Sequence, residues 1–180
     1  GLSCYLRDCD YGNYLIDPEL NLVKNGTLTE GCLPFSSGDG RTMEPCPTSC
    51  KDGSEFKKYY AQNAYMTEDY YSKETFYDIV LLIVDQLIRK GPVVAGIDIF
   101  EDFMDWHSDP QKCHDDVYIY DEKSEYLGGH AVTVVGYGLL NNKYYWLIQN
   151  SWGEEACDNG FVKVGFGQIG VEQVGFAEPY

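Results

Sequence analysis

Basic residues are scarce in this chain of 180 residues. Thirteen Lys and Arg stand against 29 Asp and Glu, and the formal net charge is −16. A field of that sign repels phosphate backbones, so we expect no nucleic-acid partner. Long hydrophobic runs are missing too, since the longest uncharged apolar stretch covers residues 79–84. A membrane span needs about 20 such residues, and we expect none.

Histidine is also rare, with three residues in the chain. His107 and His114 lie in an acidic stretch that predicts solvated side chains. His130 differs, because it follows Gly128-Gly129 and opens the hydrophobic segment 131–138. A glycine pair lets a backbone or ligand approach closely, and the segment predicts a buried strand. His130 is therefore the candidate catalytic base.

Cysteine, in contrast, is plentiful. Five of the seven cysteines stand in the first fifty residues, in segments of loop composition: Cys4, Cys9, Cys32, Cys46 and Cys50. Disulfides are the favoured interpretation, and they imply an oxidising compartment. The sequon at Asn25 agrees and marks a glycosylation candidate. The alternative is a metal site at Cys46 and Cys50, although no second close pair of Cys or His accompanies them.

The hydrophobic pattern changes from helical to strand-like along the chain. Repeats of three and four predict helices over residues 13–24 and 75–90. The stretch 101–127 is acidic and predicts irregular structure with a turn at Asp109-Pro110. β-branched and alternating segments predict strands within residues 57–71 and over 93–99, 131–138, 144–149 and 161–164. The second half therefore predicts a β domain.

The segment Gln149–Gly153 supplies an amide, a hydroxyl and an indole at the end of a predicted strand. A Cys/His nucleophilic pair needs an imidazole that takes the thiol proton and a third group that holds the ring. An Asn carbonyl oxygen can accept from the ring N–H, and an indole over the contact keeps water out. We therefore predict His130 and Asn150 as catalytic residues and Trp152 as their support.

These motifs carry a family resemblance. Gly-Gly-His-Ala-Val at residues 128–132, followed by Tyr-Trp-Leu-Ile-Gln-Asn-Ser-Trp-Gly at 145–153, resembles the papain family of cysteine peptidases. Further segments are similar to its cathepsin B branch: residues 31–35, 45–50, 91–93 and 101–103. Residues 158–161 also resemble the family. The resemblance implies an α+β, papain-like two-domain fold. Residues 1–62 would be the remainder of the helical left domain, and residues 63–180 the antiparallel β right domain.

The family's nucleophilic cysteine lies in a Cys-Gly-Ser-Cys-Trp segment with an oxyanion-hole glutamine just before it, and nothing in this chain matches that segment. The resemblance thus implies a cysteine endopeptidase completed by an N-terminal chain or segment of the same precursor, and a chain that is inactive alone. It implies peptide or protein substrates, no cofactor, and a lysosome-like, vacuole-like or extracellular location. The occluding loop of cathepsin B has no counterpart here, so carboxydipeptidase action is not implied.

Residue roles follow from the same resemblance. Gly12 and Gly129 would bind substrate, and Val174 would form the base of an apolar pocket for the second residue before the cut. The expected disulfides are Cys4–Cys46 and Cys32–Cys50, with a weaker expectation that Cys113 pairs with Cys157.

Two departures from the family support an alternative function. Tyr11 replaces one glycine beside Gly12, and Ala156-Cys157 replaces the usual Trp-Gly. The alternative is a catalytically inactive papain-fold homologue that acts as a binding or structural protein.

Overall fold

The structure is a computed structural model that describes residues 13–36, 45–67 and 73–179. These residues form two compact units. Residues 13–65 and 176–179 belong to the first unit, and Met66–Gly175 form the second. The described residues contain a few helices, and the strand pairs of the second unit are antiparallel. This agrees with the predicted α+β class.

The first unit contains the helix α1, the strand β1 and a cross-linked loop. Helix α1 spans Ile16–Asn25 and ends where Gly26 adopts a φ of 71°. A side chain is not tolerated there, because a Cβ would lie 2.9 Å from the Tyr59 carbonyl oxygen. Strand β1 covers Ala61–Met66, which is shorter than the stretch from which it was predicted. The disulfide Cys32–Cys50 closes the loop between α1 and β1.

The second unit begins with helix α2, Lys73–Arg89. Val80, Ile83 and Gln86 are buried on one side of it, at the spacing of three that a helix with one buried face shows. The helix ends before Gly91, which has a φ of 120° and is followed by Pro92. Both residues terminate helices for local steric reasons.

An antiparallel sheet forms the core of the second unit, with strands in the order β6-β2-β3-β4-β5, and β6 pairs with β2 through residues 173–175. The bounds are β2 Val93–Phe100, β3 Tyr126–Leu140, β4 Lys143–Gln149, β5 Phe161–Gly165 and β6 Gln173–Pro179. Asn141 and Asn142 make the turn between β3 and β4 with φ values of 50° and 60°. Asn tolerates this left-handed region better than most residues, which explains the pair. Strand β6 had no prediction.

The prediction of irregular structure over 101–127 is wrong in part. Helix α3 spans Glu101–His107, and helix α4 spans Pro110–Asp115. Asp109 is the N-cap of α4, and its side chain accepts hydrogen bonds from the backbone of Gln111 and Lys112. Asp followed by Pro at the first helical position is a helix start as well as a turn signal, and here the helix forms.

No helix in the described ranges is long and apolar enough to cross a membrane.

Candidate active site

Two neighbouring strands bring His130 and Asn150 together. His130 lies on β3 opposite Ile97 of β2, and Asn150 directly follows β4. Because Thr133 on β3 pairs with Gln149 on β4, the hairpin returns Asn150 towards His130 across twenty residues of sequence. The Asn150 backbone N–H donates to the Gly160 carbonyl at 2.9 Å, which fixes the end of the strand.

The side chains make the predicted contact. His130 Nε2 lies 2.9 Å from Asn150 Oδ1, and the Ser151 backbone N–H donates to the same oxygen at 2.8 Å. An amide oxygen only accepts, so His130 Nε2 carries a proton and donates it. In neutral His130 the other nitrogen, Nδ1, is then unprotonated and is able to accept a proton. This is the tautomer that a general base for a thiol requires.

Trp152 covers this contact, as the sequence predicted. Its indole stacks on the His130 ring with centroids 5.1 Å apart. Two rings of helix α3 also contact the indole, since Phe103 and His107 lie in T-shaped arrangements with it at 6.1 Å and 4.7 Å. Phe103 is fully buried, while Trp152 keeps 37% of its surface exposed. The rings thus form a wall that limits water at the His130–Asn150 hydrogen bond.

The prediction that His107 is solvated is wrong. It is the last residue of α3 and is 8% exposed, and its Nε2 lies 3.4 Å from Asn150 Nδ2. Burial lowers the pKa of His107, because the charged imidazolium is poorly solvated there. The available signal was the spacing of Phe103 and His107, which share one face of a short helix. His114 is exposed and contacts Asp115, as predicted.

The predicted substrate-binding residues lie at separate places. A Cβ at Gly129 would meet nothing closer than Tyr126 Oη at 4.0 Å, so space for a ligand is open over this residue. Val174 pairs with Ala95 of β2 and is fully buried, whereas its neighbour Gln173 is exposed. Gly12 lies outside the described residues.

The cysteines form disulfides in the described residues. Cys32–Cys50 and Cys113–Cys157 are both present. Cys46 is also disulfide-bonded, and its expected partner, Cys4, lies outside the described residues. A metal site at Cys46 and Cys50 is therefore contradicted, since metal binding needs free thiolates. The predicted glycosylation site, Asn25, is the last residue of α1, and its Nδ2 donates to Asn21 Oδ1.

Solved structures define the class of fold. ProCathepsin B S9 from Trypanosoma congolense superposes with a TM-score of 0.65 at 24% identity, over 89% of this chain and 51% of that one. Digestive procathepsin L2 proteinase from Tenebrio molitor larval midgut gives a TM-score of 0.62 at 24% identity, over 93% of this chain and 47% of that one. The fold is papain-like, which confirms the predicted class.

The sequence gives the family itself. Residues 2–178 match the papain family cysteine proteases, and the chain belongs to that family.

The curated relatives are cathepsin B-like. Cathepsin B-like cysteine proteinase 3 of Caenorhabditis elegans is 31% identical over 91% of this chain and 45% of its own length. Cathepsin B-like CP2 of Giardia intestinalis is 31% identical over 96% of this chain and 55% of its own length. The chain thus spans about half the length of the curated relatives that it matches.

Proposed function

We propose that these residues are the C-terminal part of a papain-like cysteine endopeptidase. The observation that carries the proposal is the hydrogen bond from His130 to Asn150 under the Trp152 indole. A half-buried imidazole that is held in one tautomer and covered by an indole is typical of a catalytic site and uncommon in a purely structural sheet. The nucleophilic cysteine and the oxyanion-hole glutamine would come from an N-terminal segment outside these 180 residues.

Each side chain has one role in the proposed reaction. His130 Nδ1 takes the thiol proton, and the thiolate attacks the carbonyl carbon of the scissile peptide. The imidazolium then gives the proton to the leaving amine, and water activated by His130 releases the acyl group. Asn150 keeps the ring in place through both steps, and Trp152 excludes water from their hydrogen bond.

The remaining expectations are part of the same proposal. The substrate is a peptide or protein, Gly12 and Gly129 contact its backbone, and no cofactor takes part. The protein works in a lysosome-like, vacuole-like or extracellular compartment, where the disulfides of both units are stable. Residues 1–62 and 63–180 act as the left-domain remainder and the right domain.

Hydrolysis of a fluorogenic dipeptide substrate tests the proposal. The protein expressed from its complete reading frame is compared with residues 1–180 alone and with the Asn150→Ala variant of the complete protein. We expect activity in the complete protein, none in residues 1–180, and a loss of kcat in the variant. A complete, folded protein without activity would favour the alternative, an inactive homologue that acts as a binding or structural protein. The presence of Ala156-Cys157 in place of the usual Trp-Gly supports that alternative.

Specificity is the finer part of the proposal. Val174 offers no charge, so a guanidinium in the pocket for the second residue before the cut would lack a partner there. We expect Leu, Val or Phe to be preferred over Arg, since burying such side chains contributes about 1.5–3 kcal/mol. A substrate library varied at that position measures the preference. A preference for Arg would contradict the assignment of Val174.

A further inference from the structure

The Asn150 side chain lies between two imidazoles. Its Oδ1 is 2.9 Å from His130 Nε2 and 2.8 Å from the Ser151 backbone nitrogen, and its Nδ2 is 3.4 Å from His107 Nε2. A backbone N–H always donates, so the amide atom beside the Ser151 nitrogen must be the oxygen. The orientation of an amide is ordinarily inferred from mobile neighbours. Here a fixed backbone donor sets it, and Nδ2 faces His107.

This orientation determines the protonation of His107. An amide nitrogen only donates, so His107 Nε2 has to accept, and the ring proton has to be on Nδ1. The arrangement is therefore a chain of two hydrogen bonds. His130 Nε2–H donates to Asn150 Oδ1, and Asn150 Nδ2–H donates to His107 Nε2. In a protonated His107, the Nε2–H would face the Asn150 Nδ2–H, and the repulsion between these two donors would favour the flipped amide. That flip would turn Nδ2 towards two other donors, His130 Nε2–H and the Ser151 N–H.

The surroundings of His107 suit the neutral ring. The imidazole is 8% exposed, between the rings of Phe103 and Trp152, and burial lowers its pKa. Within the described residues, the charged and titratable groups on the packed elements are exposed or engaged with other partners. They are Glu101, Asp102 and Asp105 on α3, Asp109, Lys112, His114 and Asp115 at α4, Tyr118, His130 on β3, Glu154, Glu155 and Asp158 after β4, and Lys163 on β5.

We propose that His107 is a positioning residue that holds the Asn150 amide in the orientation that His130 needs. The proposal rests on the proposed function only in that His130 is taken as the catalytic base. As a consequence, the site loses activity at low pH through a group that is neither the nucleophile nor the base. When His107 takes up a proton, the His130–Asn150 hydrogen bond is lost and the His130 ring is no longer held.

Three variants separate positioning from packing. His107→Gln places an oxygen near the position of Nε2, so it accepts from Asn150 at every pH without titrating. His107→Leu keeps apolar bulk beside Trp152 but removes the acceptor. His114→Gln is the matched control, because His114 is an exposed histidine whose ring contacts Asp115 alone among the described residues. All are made in the protein expressed from its complete reading frame.

The expected results differ between the variants. His107→Leu lowers kcat about 10-fold or more with little change in KM, by analogy with the loss of partners that orient metal-binding histidines. His107→Gln keeps kcat near the wild-type value at pH 7 and moves the acid limb of the pH profile to lower pH. His114→Gln has the wild-type profile. The ¹⁵N NMR shifts of the imidazoles should show the proton on Nδ1 of His107 and on Nε2 of His130.

Two results would overturn the proposal: equal kcat and equal acid limbs for His107→Gln and His107→Leu, or an NMR spectrum with the neutral His107 proton on Nε2. The NMR measurement needs no substrate. If the complete protein hydrolyses no peptide, the proposed function fails, while the tautomer of His107 still decides whether it positions Asn150.

Discussion

Glu172 is a partly buried carboxylate, and the free-energy cost of burying it depends on pH. Its Oε1 accepts from the Trp146 indole N–H at 2.9 Å and from the Gly167 backbone N–H at 2.7 Å. Burial nonetheless raises the pKa of Glu172, because the desolvation of the anion outweighs these hydrogen bonds. Between the ordinary pKa of Glu, roughly 4.3, and the raised value, the folded state binds the proton more tightly than the unfolded state. The free energy of unfolding therefore falls as pH rises through that window.

We predict that Glu172→Gln flattens this pH dependence. Gln keeps an oxygen for both N–H donors and cannot ionise, so the fall in stability above about pH 4.3 should become smaller. Glu172→Leu leaves both donors without an acceptor and should lower the free energy of unfolding by about 1–3 kcal/mol for each. Urea unfolding at a series of pH values measures both effects. The exposed Glu154→Gln is the control, and equal slopes for Glu172→Gln and wild type would contradict the explanation.

At the scale of single residues, the sequence predicts a functional residue when the residues next to it in the sequence indicate its role. His130 after a glycine pair, and Asn150 beside Trp152, were identified in this way. His107 was not, because its segment was predicted to be irregular and the helical spacing from Phe103 was therefore not used. The other ring that covers it, Trp152, is distant in the sequence.

At the scale of elements, α4 is a helix of 6 residues that depends on its N-cap. Asp109 Oδ1 accepts from the backbone N–H groups of Gln111 and Lys112 at 3.1 Å and 3.2 Å. We predict that Asp109→Ala lowers the free energy of unfolding by about 1 kcal/mol, since Ala offers no acceptor. Asp105→Ala on the exposed side of α3 is the control and should stay within about 0.5 kcal/mol of wild type. Urea unfolding with equal losses for both variants would show that the cap contributes nothing.

The Cys113–Cys157 disulfide joins α4 to the segment before β5, across a sequence separation of 44 residues. In the chain-entropy model a closed loop of that length stabilises the folded state by about 4 kcal/mol. We predict that the double variant Cys113→Ala/Cys157→Ala loses about that much.

The matched control for this variant is Cys32→Ala/Cys50→Ala, where the separation is 18 residues and the same model gives about 3 kcal/mol. Urea unfolding compares the two variants. A larger loss in the control would contradict the dependence on loop length.

The strands and short helices differ in how well sequence patterns predict them. The predicted bounds of β2, β4 and β5 lie within one residue of the observed ones, because alternating or continuous apolar residues mark these strands. Strand β3 was predicted over residues 131–138 and extends over Tyr126–Leu140, since its pairing with β2 continues past the glycine pair. Helices α3 and α4 have 7 and 6 residues, which is too short for a helical period to emerge from an acidic segment. Strand β6 contains Gly175 and follows a turn-rich stretch, so tertiary pairing with β2, not its own pattern, makes it a strand.

At the scale of the whole molecule, we propose that the reactive groups come from two parts of the protein. This chain contributes an imidazole, an amide and an indole from β3 and the segment after β4, all within one compact unit. It matches about half the length of its cathepsin B-like relatives. Our proposal therefore places the base and its orienting amide in these residues and the nucleophile in a segment outside them.

Labelling with an epoxide probe for catalytic cysteines tests this claim most directly. The probe is added to the protein expressed from its complete reading frame, to its His130→Ala variant, and to residues 1–180 alone, and mass spectrometry locates the label. We predict one labelled cysteine outside residues 1–180, a labelling rate that falls about 10²–10⁴-fold in His130→Ala, and no label on residues 1–180 alone. A label on any of the seven cysteines of this chain, or a folded complete protein without label, would contradict it.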